Sequence, residues 1–253
     1  MKSSQRLWTR DELIQAISLY VKIPFGKLHH RNPEIISLAK KIDRTPGSVS
    51  YKLVNLASLD PTLKLRGIKG ASNASKLDKE VWDEFYGRWE ILAQFDFELN
   101  REIKASPSSQ DILTIPLEGK EKESLVRVRV NQQFFRKMVL AAYDGSCCIT
   151  GINHPSLLVA GHISPWGDDE KNRMNPRNGI AINALHDRAF EFGLLTILPD
   201  YSIRVSGEIK ELYDGETIDS FFKPFDGKKI REPQRFPPDP EFLYYHSTQK
   251  FIQ

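Results

Sequence analysis

The stretch that most constrains this chain runs from residue 157 to residue 193. Residues 157–163 are apolar and strand-like, with His162 close to their end, and 168–178 are polar and rich in turn formers. Residues 179–182 read as a second short strand, and 184–192 as a helix stopped by Gly193. Sixteen residues separate His162 from Asn178, and eight more separate Asn178 from His186. A strand–loop–strand–helix unit that short brings the end of its first strand beside the start of its helix. The order His162, Asn178, His186 therefore predicts two imidazoles facing one small cleft, with the carboxylate of Asp187 next to the second.

Around this unit the texture differs. Leu125-Val126-Arg127-Val128-Arg129-Val130 alternates as a strand does, and residues 132–143 look helical, with Phe135, Met138, Val139 and Ala142 on one side. Residues 194–198 and 202–205 form an expected hairpin around Pro199-Asp200. Upstream, residues 104–123 hold Ser106-Pro107-Ser108-Ser109, Pro116 and a charged run, the composition of a linker. The expected division is a helical domain over 1–103, a linker over 104–124 and a second domain over 125–253.

The first domain opens with Trp8, Leu13, Ala16, Ile17 and Tyr20 at helical spacing, with Thr9 as cap and Glu12 three residues on. A second helix is expected over 33–41, with Asn32 as cap and Pro33 at its first position. A third follows Thr45-Pro46, with Val49, Leu53 and Leu56 on one face. This layout resembles a helix-turn-helix, whose third helix would enter the major groove and offer Lys52 to DNA; a small helical bundle without groove contacts is the alternative. Residues 64–79 read as a basic loop able to follow a phosphate backbone. A further helix over 79–95 carries Val81, Trp82, Phe85, Trp89 and Leu92, aromatics suited to core packing.

Charge adds to this picture through its distribution. The net charge is only +3, yet residues 1–80 hold 15 Lys and Arg against 7 Asp and Glu, leaving 21 against 26 for the rest. A basic N-terminal third is the footprint of a polyanion-binding module, or else a solvated basic surface. No apolar run suits a membrane span, and no secretory signal opens the chain. The two cysteines, Cys147 and Cys148, are adjacent, which excludes a disulfide framework and fits a reducing, cytoplasmic setting.

Asn175-Pro176-Arg177-Asn178-Gly179-Ile180-Ala181-Ile182, followed by Leu185-His186-Asp187-Arg188-Ala189-Phe190-Glu191, resembles the HNH (ββα-metal) endonuclease family, and more narrowly its bacterial restriction-type branch. Tyr143-Asp144-Gly145-Ser146-Cys147-Cys148-Ile149-Thr150-Gly151 is similar to the lead-in of that branch, as are Arg127-Val128-Arg129-Val130 and Phe135-Arg136. The resemblance implies an α+β protein with a helical N-terminal DNA-recognition domain and a C-terminal ββα-metal nuclease domain. It implies metal-assisted hydrolysis of duplex DNA, leaving 5′-phosphate and 3′-hydroxyl ends. His162 would be the general base, and Asn178 would hold the backbone around it. His186 would ligate a divalent ion, magnesium or manganese, with Asp187 adding a carboxylate. Arg127, Arg129, Arg136, Arg173 and Arg177 are candidate DNA phosphate contacts, each also explicable as solvated surface. Cutting both strands would call for two sites and hence a homodimer.

Two departures from the family pattern shape the expectation. Many relatives carry an Asp or His ligand just before the first histidine, where this chain has Gly161. The coordination sphere would be completed by Asp187, Glu191, His154 or substrate oxygens. Some relatives hold a structural zinc on two Cys-x-x-Cys pairs; adjacent Cys147 and Cys148 cannot, so no structural zinc is expected and both thiols should be buried. His29 and His30 are expected to make backbone or phosphate contacts, and His246 to be structural. The rival reading is a non-catalytic DNA-binding protein that keeps a degenerate HNH fold; cleavage of RNA is a third.

Overall fold

Helix starts in the N-terminal half are set by short capping sequences. The computed structural model describes residues 6–68, 70–71, 73–101, 120–212 and 215–253. In α1 (Arg10–Lys22) the Thr9 hydroxyl accepts from the Glu12 amide, and the Glu12 carboxylate accepts from the Thr9 amide. That closed box satisfies two amides which a helix end otherwise leaves bare. Asn32 caps α2 (Pro33–Lys41) and Thr45 caps α3 (Pro46–Ala57), each helix beginning on proline as expected. Between them Asp43 turns the chain at a φ of 51°. The helical series continues with α4 (Pro61–Leu65), α5 (Lys76–Phe85) and α6 (Trp89–Arg101).

The chain divides into two compact units, residues 1–134 and 135–253. In the first, α1 is the hub: Leu13, Ile14, Ala16, Ile17, Tyr20 and Val21 are buried, and the helix packs on α2, α3, α5 and α6. The single helix expected over 79–95 is in fact two. Gly87 takes a φ of 88°, where a side chain would be strained, so one helix stops at Phe85 and the next starts at Trp89. Trp82, Phe85, Trp89 and Leu92 are all buried, as core packing requires.

Lys52 needs correcting as a DNA contact. It stands three residues after Val49 and four before Leu56, which puts it on the buried face of α3, and only 7% of it is exposed. Its ammonium lies 2.8 Å from both carboxylate oxygens of Asp78, with the Trp8 ring 5.2 Å away. The basic excess of this unit is thus partly turned inward. Arg44 pairs with Glu12 at 2.8 Å and Lys22 with Asp96 at 2.7 Å, while the Tyr20 hydroxyl donates to Asp60 at 2.8 Å.

Residues 125–130, expected as a strand, lie instead within α7 (Lys120–Ala142). Alternating valine and arginine makes a strand only where a neighbouring strand takes its hydrogen bonds. Here the helix closes those bonds within itself, and Leu125, Val126 and Val128 are exposed. The expected linker falls on residues 104–119, outside the described residues, and on the start of α7. The compact units divide after Phe134, so residues 125–134 group with the first unit.

The second unit is built on two small antiparallel sheets. β1 (Leu158–His162) pairs with β2 (Gly179–Asn183), Leu158 opposite Asn183 and His162 opposite Gly179. α8 (Ala184–Glu191) follows at once and ends at Gly193, whose φ is 72°. The expected hairpin is β3 (Leu195–Ile197) and β4 (Ile203–Val205). α9 (Gly207–Leu212), α10 (Glu216–Phe221) and α11 (Pro240–Gln249) complete the unit, with α11 lying on β3. Its core includes Phe135, Met138, Val139, Ile180, Ile182, Phe190, Leu195 and Leu243. Among the described residues no helix is long and apolar enough to cross a membrane.

Candidate active site

His162 closes β1 in a setting that fixes both its plane and its proton. The ring stacks on Phe135 of α7, centroids 4.1 Å apart and planes 6° from parallel, with the edge of Trp166 at 5.4 Å. Nε2 lies 2.9 Å from the Arg173 carbonyl, which can only accept, so Nε2 carries the hydrogen and Nδ1 keeps a lone pair. Burial pushes the His162 pKa below the usual histidine range, against the opposing pull of that carbonyl. The ring is therefore neutral at physiological pH. Room for the stack comes from Gly179, opposite His162 in the sheet: a Cβ there would sit 2.6 Å from Val139 and 2.7 Å from Phe135.

A cavity of about 300 Å³ opens beside this ring. Gly161, His162 and Trp166 line one part of it, Asp187 and Glu191 another, and His246 and Lys250 of the C-terminal segment a third. Asp187 and Glu191 are four residues apart on α8 and so share a face. Asp187 is half-buried, and its pKa is raised to about 6, first by burial and then by the charge of Glu191, with Arg188 opposing. A Cβ added at Gly161 would lie 2.6 Å from Asp187 Oδ1, so the carboxylate occupies space that a side chain at 161 would need. His246 closes the floor: its ring stacks on Phe190 at 3.6 Å, Nδ1 accepts from the Thr196 hydroxyl at 2.8 Å, and Nε2 donates to the Phe190 carbonyl at 3.0 Å. Both its nitrogens are committed, and burial drives its pKa down to about 4. This is the structural role expected of it.

A ββα unit with a neutral histidine on its first strand and carboxylates on its helix is now in view. Residues 147–198 match the HNH_2 family model, described as HNH endonuclease. The C-terminal half of the chain carries an HNH domain. No curated protein matches the chain.

Within the HNH domain Asn178 is 1% exposed and works on the loop that follows the histidine. Its Oδ1 accepts from the Ser164 amide at 2.7 Å, its Nδ2 donates to the Ser164 carbonyl at 3.2 Å, and its own carbonyl accepts from the Ile163 amide at 3.0 Å. The two residues immediately after His162 are thereby pinned to the start of β2.

His186 is placed differently from expectation. It is 1% exposed, Nδ1 accepts from Asn183 Nδ2 at 2.9 Å, and Nε2 donates to the Phe221 carbonyl at 2.7 Å. Phe222 and Phe225 flank the ring edge-on. With both nitrogens bonded and the ring absent from the cavity lining, it has no lone pair to give a metal. Successive residues on a helix point about 100° apart. Because Asn183 caps α8 and accepts from the His186 amide at 3.0 Å, His186 faces the core and Asp187 faces the cavity.

The donor set that remains suits a hard divalent ion. Two carboxylates flank a cavity beside a neutral histidine, and burial with the neighbouring charge of Glu191 holds the Asp187 pKa up at about 6. Magnesium needs only one or two protein carboxylates, with water and phosphate oxygens supplying the rest. Among the described residues no three His, Cys, Asp or Glu side chains gather as a metal-holding group, and His154 is exposed and outside the cavity lining. Cys147 and Cys148 are both buried; the Cys147 sulfur accepts from the amides of Ile149, Thr150 and Asn183 at 3.3–3.4 Å.

Three of the arginines expected on phosphate also make contacts within the fold. Arg173 donates to the Trp166 carbonyl at 2.7 Å and pairs with Glu170 at 3.2 Å. Arg177 pairs with Asp239 at 3.1 Å, and Arg136 donates to the Pro155 carbonyl at 3.1 Å. Arg127 and Arg129 are exposed on the part of α7 that belongs to the first unit. Sequence reasoning missed the Phe135 platform and the contribution of Lys250. The pairing of Glu191 with Asp187 was detectable from their four-residue spacing on a predicted helix.

Proposed function

We propose that this chain is a metal-dependent endonuclease that hydrolyses phosphodiester bonds of duplex DNA, with a restriction-type role. The observation that carries this reading is the neutral His162, its Nε2 committed to the Arg173 carbonyl, beside the half-buried carboxylate of Asp187 and the exposed one of Glu191 in one cavity.

Hydrolysis needs a water deprotonated near neutral pH, and a neutral imidazole is suited to taking that proton. The lone pair on Nδ1 is the acceptor, while the Arg173 carbonyl steadies the imidazolium that results through the Nε2 hydrogen. Stacking on Phe135 and the clamp from Asn178 to Ser164 keep the ring from drifting, which matters because small misplacements cost large factors in rate. Asp187 and Glu191 would hold the divalent ion, whose chemistry when bound is to offset charge on the leaving 3′-oxygen. The first unit would be the recognition module: α2 and α3 flank a four-residue turn, and Gly47 and Tyr51 are exposed on α3.

A nicking assay on supercoiled plasmid with magnesium or manganese tests the proposal. Wild type should relax the plasmid, and His162→Ala should bind but leave it intact. Cutting by His162→Ala at the wild-type rate would end the assignment. Digesting modified and unmodified duplex in parallel reads whether base modification is required. The rival, a non-catalytic DNA binder, is favoured by one observation, the lack of a three-ligand cluster among the described residues. It predicts a gel shift without strand breaks at any divalent ion.

A further inference from the structure

Lys250 lies outside the matched HNH segment, yet among the described residues it is the only Lys or Arg that lines the cavity. Its backbone is clamped against the end of α8. A Cβ at Gly193 would lie 2.1 Å from the Lys250 carbonyl oxygen, the Lys250 amide donates to the His246 carbonyl at 3.1 Å, and the Ile252 amide donates to the Gly193 carbonyl at 2.9 Å. Its side chain is free to move by comparison. The ammonium sits 3.0 Å from Asp168 Oδ2, and the Tyr245 hydroxyl donates to that same oxygen at 3.0 Å. The pair is substantially exposed, with 34% of the lysine side chain and 40% of the aspartate side chain accessible.

Charge counting gives this lysine a task. A phosphodiester carries one negative charge, and the cavity offers two carboxylates in Asp187 and Glu191. Arg188 pairs with Glu191 at 2.8 Å from outside the cavity lining, so within the lining a divalent ion on those carboxylates brings the sum to zero. One further cation makes the sum positive, and Lys250 is the group in place to supply it. We propose that Lys250 is a substrate-binding residue of the HNH domain: its ammonium leaves Asp168 and takes a non-bridging phosphate oxygen of the DNA when the strand enters the cavity. This rests on the endonuclease reading of the same site. An exposed lysine–carboxylate pair is weakly held, so a phosphate can displace Asp168 at little cost. Asp168 then has a second effect: it stores the ammonium beside the cavity and competes with DNA for it.

The test is the salt dependence of DNA binding, measured with a duplex oligonucleotide, calcium as the divalent ion and His162→Ala as the non-cutting parent. Each phosphate neutralised contributes about 0.9 to the slope of log affinity against log salt. Lys250→Met in that background should lower the slope by about 0.9 and weaken binding, and Lys250→Arg should restore both. Asp168→Asn should bind more tightly with the slope retained. In the cutting enzyme, Lys250→Met should raise KM more than it lowers kcat. An unchanged slope and affinity in Lys250→Met would overturn the phosphate contact, and weaker binding by Asp168→Asn would overturn the competition. If wild type cuts while Lys250→Met matches the parent slope, this inference alone falls. If wild type neither binds nor cuts DNA, the endonuclease reading falls and takes the inference with it.

Discussion

The two units treat charge in opposite ways. In the first, three charges taken out of water meet an opposite partner, Lys52 with Asp78, Arg44 with Glu12 and Lys22 with Asp96, and buried Asp60 is met by hydroxyl donors. In the second, the half-buried carboxylate of Asp187 neighbours another carboxylate, and His162 ties only Nε2 into the fold. Matched partners serve architecture, since each holds two elements together. Like charges set side by side are costly to the fold, and that cost is repaid only when a cation arrives. Burial alone therefore does not mark a working site; the nature of the partner does.

Substitutions on the two sides of this contrast should diverge, and the sharpest break is catalytic. His162→Ala should lower the cleavage rate by roughly 10²–10⁴-fold, the usual contribution of a general base, a loss far beyond what the missing stack on Phe135 takes from the thermal melt. Next comes the paired side: Lys52→Met leaves Asp78 buried without a counter-charge and should cost about 3–5 kcal/mol in urea unfolding of the first unit. Retention of full stability by Lys52→Met would show that the pair is not structural.

The unpaired side should respond with the opposite sign. The folded pKa of Asp187, about 6, lies above its ordinary value of 3.8, so the fold favours the protonated form. Its contribution to stability is present below pH 4, declines as pH rises through 4–6, and above 6 is a standing penalty. Asp187→Asn should consequently raise the melting temperature of the metal-free protein at pH 8 and abolish its further rise on adding magnesium; a lower melting temperature would contradict the burial argument. The same titration makes protons compete with the cation. The magnesium concentration for half-maximal cleavage should climb roughly tenfold per pH unit below about pH 6 and level off above it. The smallest effect belongs to a surface tie: Arg177→Ala, which loses the exposed pair with Asp239, should cost about 0–1 kcal/mol and leave cleavage intact.

Legibility in the sequence followed the range of the forces involved. Thr9 with Glu12, Asn32-Pro33 and Thr45-Pro46 located helix starts to the residue because capping is settled within one turn of chain. The β1–β2–α8 unit was readable for a similar reason, its spacing leaving little freedom. Where sequence reading failed, distant residues decided. The choice between His186 and Asp187 as the cavity-facing side chain depends on the carbonyl of Phe221 and the rings of Phe222 and Phe225, more than thirty residues downstream. The wall formed by His246 and Lys250 comes from farther still. Residues 125–130 misled for a different reason: a period of two shows which positions could share a face, but only a neighbouring strand can make that pattern a sheet.

Gly161 carries an implication for how such domains diverge. A strand position and a helix position here claim one and the same volume, so they act as alternative landlords for a single tenant. A donor can be housed at the end of the strand or at the first turn of the helix, and filling either address evicts the occupant of the other. Ligand identity in this architecture can therefore migrate between secondary structures while the backbone stays where it is.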